Sequence, residues 1–140
     1  MEGEWIQMNE SEKISVNLGV VELAQIDVLV EQGHFSNRTD FIRTAIRKEL
    51  EVNKNKIERL YGPIADEKHQ SFGVGIASVS RKFLEDWARS DTRKISYYQI
   101  GMLIFEKNIS LELFEKTVGS VSVRGKLVAP EEIKEAISNM

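Results

Sequence analysis

Hydrophobic and polar residues alternate strictly over residues 13–18, which is the period of a half-buried β-strand. One side of this segment carries the apolar side chains Ile14, Val16 and Leu18, and the other carries Lys13, Ser15 and Asn17. A lone strand leaves its backbone N–H and C=O groups unpaired and is not stable by itself. We therefore expect it to pair with the same strand of a second copy, and such a two-stranded ribbon fits the major groove of DNA.

After this strand the apolar period becomes helical. Leu23, Ile26 and Val30 recur at helical spacing over residues 22–32, and Gly33 then stands where a helix end favours positive φ. A second helix is predicted to begin at the cap Asn37, with Asp40 completing a capping-box pattern. This helix could continue to residue 60, before the Gly-Pro pair at 62–63 ends it.

The pattern of apolar and polar residues changes after residue 72. The pattern predicts strands over 72–79, 95–105 and 121–128, each followed by a helix, over 81–89, 111–118 and 130–137. The motif G-x-L-[IV]-x4-I-x3-[LI] begins at Gly101 and again at Gly125, a spacing typical of solenoid repeats. We predict a small α/β unit of three strand–helix repeats, solenoid-like, with a ferredoxin-like or ACT-like sheet as the alternative. The whole chain is then of the α+β class.

The charge distribution restricts any nucleic-acid site to a small one. The 140 residues carry 19 Lys/Arg and 22 Asp/Glu, a net charge of −3, and no long basic tract is present. Four of the acidic residues, Glu2, Glu4, Glu10 and Glu12, precede the first strand. Phosphate contacts must therefore come from a geometrically defined site that dimerisation repeats.

Residues 12–51 closely resemble the ribbon–helix–helix DNA-binding module of the CopG/Arc/MetJ type. The resemblance is carried by the strand I-S-V-N-L and by L-x-x-I-D-x-L-V-x-x-G-x-F-S-N-R-T-D-F-I-R-x-A-I-R, in register over 40 residues. It implies an intertwined homodimer formed by strand 13–18 and both following helices. The partner that the resemblance implies is double-stranded DNA.

The resemblance also implies the roles of individual residues. The polar strand side chains Lys13, Ser15 and Asn17 would read base edges, and their chemistry suits this, since Asn can pair with adenine and Lys can donate to guanine. Backbone N–H groups at the start of the second helix, around Asn37, Arg38 and Thr39, would hold a DNA phosphate. The sequence leaves open whether Arg43 and Arg47 reach DNA or support the fold.

Other chemistry is sparse in this sequence. It contains no Cys and only two His residues, His34 and His69, which we interpret as surface residues, so we expect no metal site and no cofactor. No nucleophile–base set is visible, and we expect no enzymatic activity. No apolar segment approaches the length of a membrane span, and no secretory signal is visible, so a cytoplasmic location is expected.

These patterns divide the chain into an acidic arm (1–11), a ribbon–helix–helix unit (12–61), a linker (62–72) and a C-terminal α/β unit (73–140). We expect a transcriptional repressor whose C-terminal unit forms a higher oligomer or binds a ligand or protein partner. One alternative is an antitoxin that represses its own promoter and binds a toxin through the C-terminal unit. Another is an assembly module in which the N-terminal unit only dimerises.

Overall fold

The computed structural model describes residues 11–61 and 69–140. The chain divides into two compact units, with the boundary between Gly62 and Pro63. The predicted acidic arm, apart from residue 11, and most of the predicted linker lie outside the described residues. The α+β class is confirmed by three strands and six helices in the described part of the chain.

The N-terminal unit is helical after residue 19. Its helices are α1 (Val20–Glu31), α2 (Arg38–Val52) and α3 (Lys54–Tyr61). Gly33 has a φ of 79°, as predicted for the residue that follows a helix end. The second helical segment continues to Tyr61, one residue past its predicted end, with a single interruption at Asn53, whose side-chain amide donates a hydrogen bond of 2.7 Å to the carbonyl of Glu49.

Residues 11–19 form neither helix nor strand in the single chain, so the β-strand predicted over 13–18 is not formed here. Secondary structure of this type needs a partner, because a β-strand is defined by its hydrogen bonds to a neighbour. The alternating side chains are exposed on both faces: Ile14 is 77% exposed and Val16 is 71% exposed. The described residues of one chain therefore leave most of the apolar face of this segment uncovered.

The C-terminal unit alternates strands and helices as predicted. Its elements are β1 (Gln70–Val79), α4 (Arg81–Ser90), β2 (Ile95–Phe105), α5 (Leu111–Thr117), β3 (Val118–Val128) and α6 (Glu131–Ser138). Hydroxyl caps begin two of the helices, since Ser80 accepts from the N–H of Phe83 and Ser110 accepts from that of Leu113. Strand β1 begins inside the range predicted as linker, three residues before the predicted start of the unit.

The three strands form one sheet in the order β1-β2-β3, and both neighbouring pairs are parallel. A ferredoxin-like arrangement contains antiparallel neighbours, so this alternative is wrong for the described strands. Gly75, Gly101 and Gly125 lie opposite one another across the sheet, and each has a φ between 110° and 132°. The two Gly–x–Leu segments of the predicted repeat therefore lie side by side, whereas their second halves differ: Ile109 precedes α5 but Ile133 lies within α6.

One face of the sheet packs against the helices. Leu84, Phe114 and Ile133, one from each helix, are fully buried against Leu103 and Phe105 of the central strand. Phe83, the neighbour of Leu84 on α4, does not belong to this core, because it is 48% exposed. It lies at the β1 end of the unit, where no further repeat covers it in the described part of the chain.

Candidate nucleic-acid interface

The polar side chains of the predicted strand are all presented to solvent. Lys13, Ser15 and Asn17, which we call the reading face, are exposed, and they alternate with the apolar residues of the same segment. An extended backbone places alternate side chains on opposite sides. Pairing of the apolar side with another surface would therefore leave these three groups facing outward together.

The turn between α1 and α2 is held by local hydrogen bonds and aromatic packing. The Asn37 side chain caps α2 by accepting from the N–H of Asp40 at 2.8 Å. In return the Asp40 carboxylate accepts from the N–H of Ser36 at 3.0 Å, one residue earlier than the predicted capping box requires. Phe35 and Phe41 pack edge to face with their centroids 5.0 Å apart, which fixes the entry of the chain into the helix.

Two backbone donors remain at the start of α2. The first N–H groups of a helix have no partner within the helix, and here Asn37 satisfies only that of Asp40. The N–H groups of Arg38 and Thr39 find no acceptor among the described residues. Such donors, together with the positive end of the helix dipole, suit an anionic group such as a phosphate.

The Arg38 side chain is already paired with a carboxylate. Its Nε and Nη2 donate to the two carboxylate oxygens of Asp27 at 2.8 and 2.9 Å, a bidentate pair between α2 and α1. The hydrogen bonds from Arg38 hold the pKa of Asp27 below its ordinary value, and those to Asp27 raise the pKa of Arg38. In this structure the guanidinium thus fixes one helix to the other, and its charge is partly neutralised.

A shallow apolar groove runs between α1 and α2. It encloses about 440 Å³ and is lined largely by apolar residues, among them Leu18, Ile26, Leu29, Phe41 and Ile46. Ile26 is the only buried residue among those described in the N-terminal unit. One copy of this unit therefore has almost no core, and its apolar side chains face the groove or solvent.

Asp27, which binds Arg38, was not among the residues predicted from the sequence. An acidic residue on the first helix and a basic residue at the start of the second can form an ion pair, but their spacing along the chain does not show that the two side chains meet.

Arg43 and Arg47 are exposed on α2, and His34 is exposed in the turn. His69 precedes β1 and is half-buried. No group of three or more His, Asp or Glu side chains suited to a metal lies among the described residues.

No helix in the described ranges is long and apolar enough to cross a membrane.

Comparison of the chain with curated proteins and with solved structures gives no significant match in either case. A family model does match: that of the ribbon-helix-helix transcriptional regulator family, over residues 9–134, which cover the N-terminal unit and most of the C-terminal unit. The recognition made from residues 12–51 is thereby confirmed. On this match over most of its length, the chain belongs to the ribbon-helix-helix transcriptional regulator family.

Proposed function

We propose that the protein is a sequence-specific repressor that binds operator DNA as a homodimer. In this proposal residues 13–18 of two copies pair antiparallel into a ribbon, and the ribbon enters the major groove. The family assignment supports the general function, transcriptional regulation. The homodimer, the reading residues and the direction of regulation are the parts that we propose.

The observation that carries the proposal is an amphipathic segment, residues 13–18, that forms no regular secondary structure and is left exposed by the described residues. Ile14 and Val16 are more than two-thirds exposed beside a helical pair that has only Ile26 buried. Burial of one such side chain contributes roughly 1.5–3 kcal/mol, so this exposed set represents a large unrealised stabilisation. A second copy supplies both missing partners: a strand for the backbone and an apolar groove for the side chains.

The reading face then follows from strand geometry. With Ile14, Val16 and Leu18 turned into the dimer, the opposite side chains face the groove floor. Asn17 offers an amide that can pair with adenine N6 and N7, and Lys13 offers donors for guanine O6 and N7. Ser15 adapts to either base. Three side chains from each copy give a short but defined site, in keeping with the low positive charge of the chain.

The phosphate contact is proposed at the start of α2. The N–H groups of Arg38 and Thr39 are available, and the cap formed by Asn37 holds them in a fixed orientation. Because a phosphate oxygen bonded here needs only backbone groups, the site works while the Arg38 guanidinium stays on Asp27. Such contacts would fix the register of the ribbon on DNA without reading sequence.

The test is selection of bound DNA from random sequence with the full chain, followed by affinity measurements on the selected operator. The Lys13→Ala plus Asn17→Ala variant should lose the preference for the operator, because each good base contact contributes about 1–3 kcal/mol. A matched control is Lys54→Ala plus Asn55→Ala on α3, which removes the same charge and amide from exposed positions. The control should bind the operator like the parent.

Operator affinity equal to that of the parent in the Lys13/Asn17 variant would refute the reading face. Failure of the parent to bind any DNA at low salt would favour the alternative of a pure assembly module, since phosphate contacts make affinity strongly salt-dependent. The antitoxin alternative gains no support from the C-terminal unit. That unit has a buried core, whereas segments that fold on binding lack enough apolar residues to form one.

A further inference from the structure

The sheet of the C-terminal unit ends in two open edges. Strand β1 lies at one edge and β3 at the other, and neither pairs with a fourth strand among the described residues. Long unpaired strands at the edge of a sheet are uncommon in monomeric proteins, because their free N–H and C=O groups are a template for pairing with another chain. The two edges differ, and their differences are complementary.

The glycine column shows the first complementarity. An ideal Cβ at Gly101 would lie 2.2 Å from the carbonyl oxygen of Gly75, and one at Gly125 would lie 2.0 Å from that of Gly101. The carbonyl of the preceding strand therefore occupies the space where a side chain at Gly101 or Gly125 would begin. At Gly75 the φ is 110° and the same space is open, with nothing within 4 Å. The carbonyl of Gly125, at the other edge of the sheet, is the group equivalent to those that fill this space at Gly101 and Gly125.

The backbone N–H and C=O groups of the two edge strands show a second complementarity. The carbonyl of His69, just before β1, accepts from the N–H of Ser96. Counting from His69, every second residue along β1 therefore directs its backbone groups to β2. Val74 lies between them and directs its N–H outward. The same alternation turns residue 99 of β2 toward β3, so the residue opposite it, Val123, directs its backbone groups out of the β3 edge. A β3 strand placed beside β1 would continue the parallel pattern.

The helices at the two ends also match. Phe83 stands as far after Gly75 as Ile133 stands after Gly125, yet Phe83 is 48% exposed while Ile133 is fully buried. Beside Phe83 a cavity of about 270 Å³ is lined by residues of β1, β2 and α4 and by His69, just before β1. The first turn of α6 is acidic, with Glu131 and Glu132, whereas α4 begins with Arg-Lys. An α6 placed beside α4 would cover the cavity and pair opposite charges.

We propose that the C-terminal units of different copies associate head to tail, with β3 of one copy pairing in parallel with β1 of the next. The carbonyl of Gly125 then fills the space at Gly75, and α6 packs beside α4. A contact of this heterologous kind leaves one edge of each type open at the ends, so it can repeat. In a DNA-binding protein it would link neighbouring bound copies and raise their local concentration. The contact itself does not depend on the ribbon or on DNA.

The test uses the full chain and proline substitutions that block one edge each. Val74→Pro removes an outward N–H of β1, and Val123→Pro removes one of β3; proline is tolerated on edges where the N–H faces solvent. Val74→Ala and Val123→Ala are the matched controls, since they shorten the side chain but keep the N–H. Sedimentation velocity over a concentration series measures assembly, and circular dichroism verifies that each variant is folded. Should Val74→Pro unfold, Ile76→Pro blocks the same edge.

The parent and both alanine controls should associate beyond the dimer as concentration rises. Each proline variant alone should lose this association, because every contact needs both edges. An equal mixture of the two should regain the contact, since each variant supplies the edge that the other lacks. If the chains are already joined as ribbon dimers, the mixture should assemble beyond the dimer; if they are not, it should stop at a one-to-one pair of the two variants. If Val123→Pro assembles like the parent while Val74→Pro does not, pairing is β1 to β1 and the head-to-tail proposal is wrong. A parent that never exceeds the dimer, or a mixture that fails to assemble, overturns it as well.

Discussion

Val16 offers the sharpest test of the dimer, because it lies in the middle of the apolar face of residues 13–18. The structure leaves this side chain 71% exposed in the single chain. In a ribbon dimer it would be buried against the partner. Val16→Ala shortens it by two carbons without touching the reading face or the helices.

The magnitude follows from the buried area. Two carbons at about 0.8 kcal/mol each, scaled by the exposed fraction, amount to about 1.1 kcal/mol per copy. The dimer contains two such residues, so its free energy of dissociation should fall by about 2.3 kcal/mol. At about 1.4 kcal/mol per factor of ten, the dimer dissociation constant should rise about 40-fold. A cavity left at the interface would increase this value.

Sedimentation equilibrium at several concentrations measures the dissociation constant directly. Ser15→Ala is the matched control: it changes the neighbouring residue on the opposite face, so it should leave dimerisation unchanged while weakening operator binding. A Val16→Ala variant that dimerises within about threefold of the parent would refute the reasoning, because exposed substitutions typically change free energies by no more than about 0.5 kcal/mol. The apolar face would then not lie in the interface.

Two further predictions concern the C-terminal unit. Asp91 accepts hydrogen bonds from the side chain and backbone of Arg93, which lower its pKa from 3.8 to about 2. Since the folded-state pKa lies below the unfolded value, this pairing stabilises the fold above pH 4 and is lost as the pH falls toward 2. Thermal melts over this range should show a smaller loss for Asp91→Asn than for the parent, and equal losses would contradict the assignment. Gly101→Ala should lower the free energy of unfolding of the unit by roughly several kcal/mol more than Gly75→Ala does. Both positions have positive φ, but only at Gly101 would the added Cβ meet a backbone carbonyl. Chemical denaturation of both variants at low concentration measures the difference, and equal stabilities would show that the overlap with the carbonyl is relieved at no cost.

Most elements of the C-terminal unit could be predicted because local signals and burial agree there. Strand β2 was predicted over its observed range, since its apolar residues continue along both faces of a central parallel strand. The helices predicted to begin at residues 81 and 111 begin there in the structure, each after a serine cap, Ser80 and Ser110. The exposure of Phe83 could not be predicted, because helical spacing indicates which face of a helix a residue occupies but not whether another element covers that face.

Part of the candidate interface was also readable in the chain. The alternation over residues 13–18 separated the reading face from the apolar face, and the cap at Asn37 located the free N–H groups of α2. The pairing of Arg38 with Asp27 was not readable, since it depends on how two helices cross. That pairing is compatible with the predicted phosphate contact, which uses backbone N–H groups, and it gives the Arg38 side chain the separate role of joining α2 to α1.

The sequence by itself determined the period of each segment, the helix caps and the family, because these depend on local spacing and residue type. Only the tertiary structure decided that Gly75, Gly101 and Gly125 lie in one row, since the first of them shares no visible motif with the other two. It also decided that the described residues of a single copy leave two edges of the sheet and one apolar face of the N-terminal unit uncovered. Burial and edge pairing are properties of chain segments brought together, and no local pattern records which of them remain without a partner.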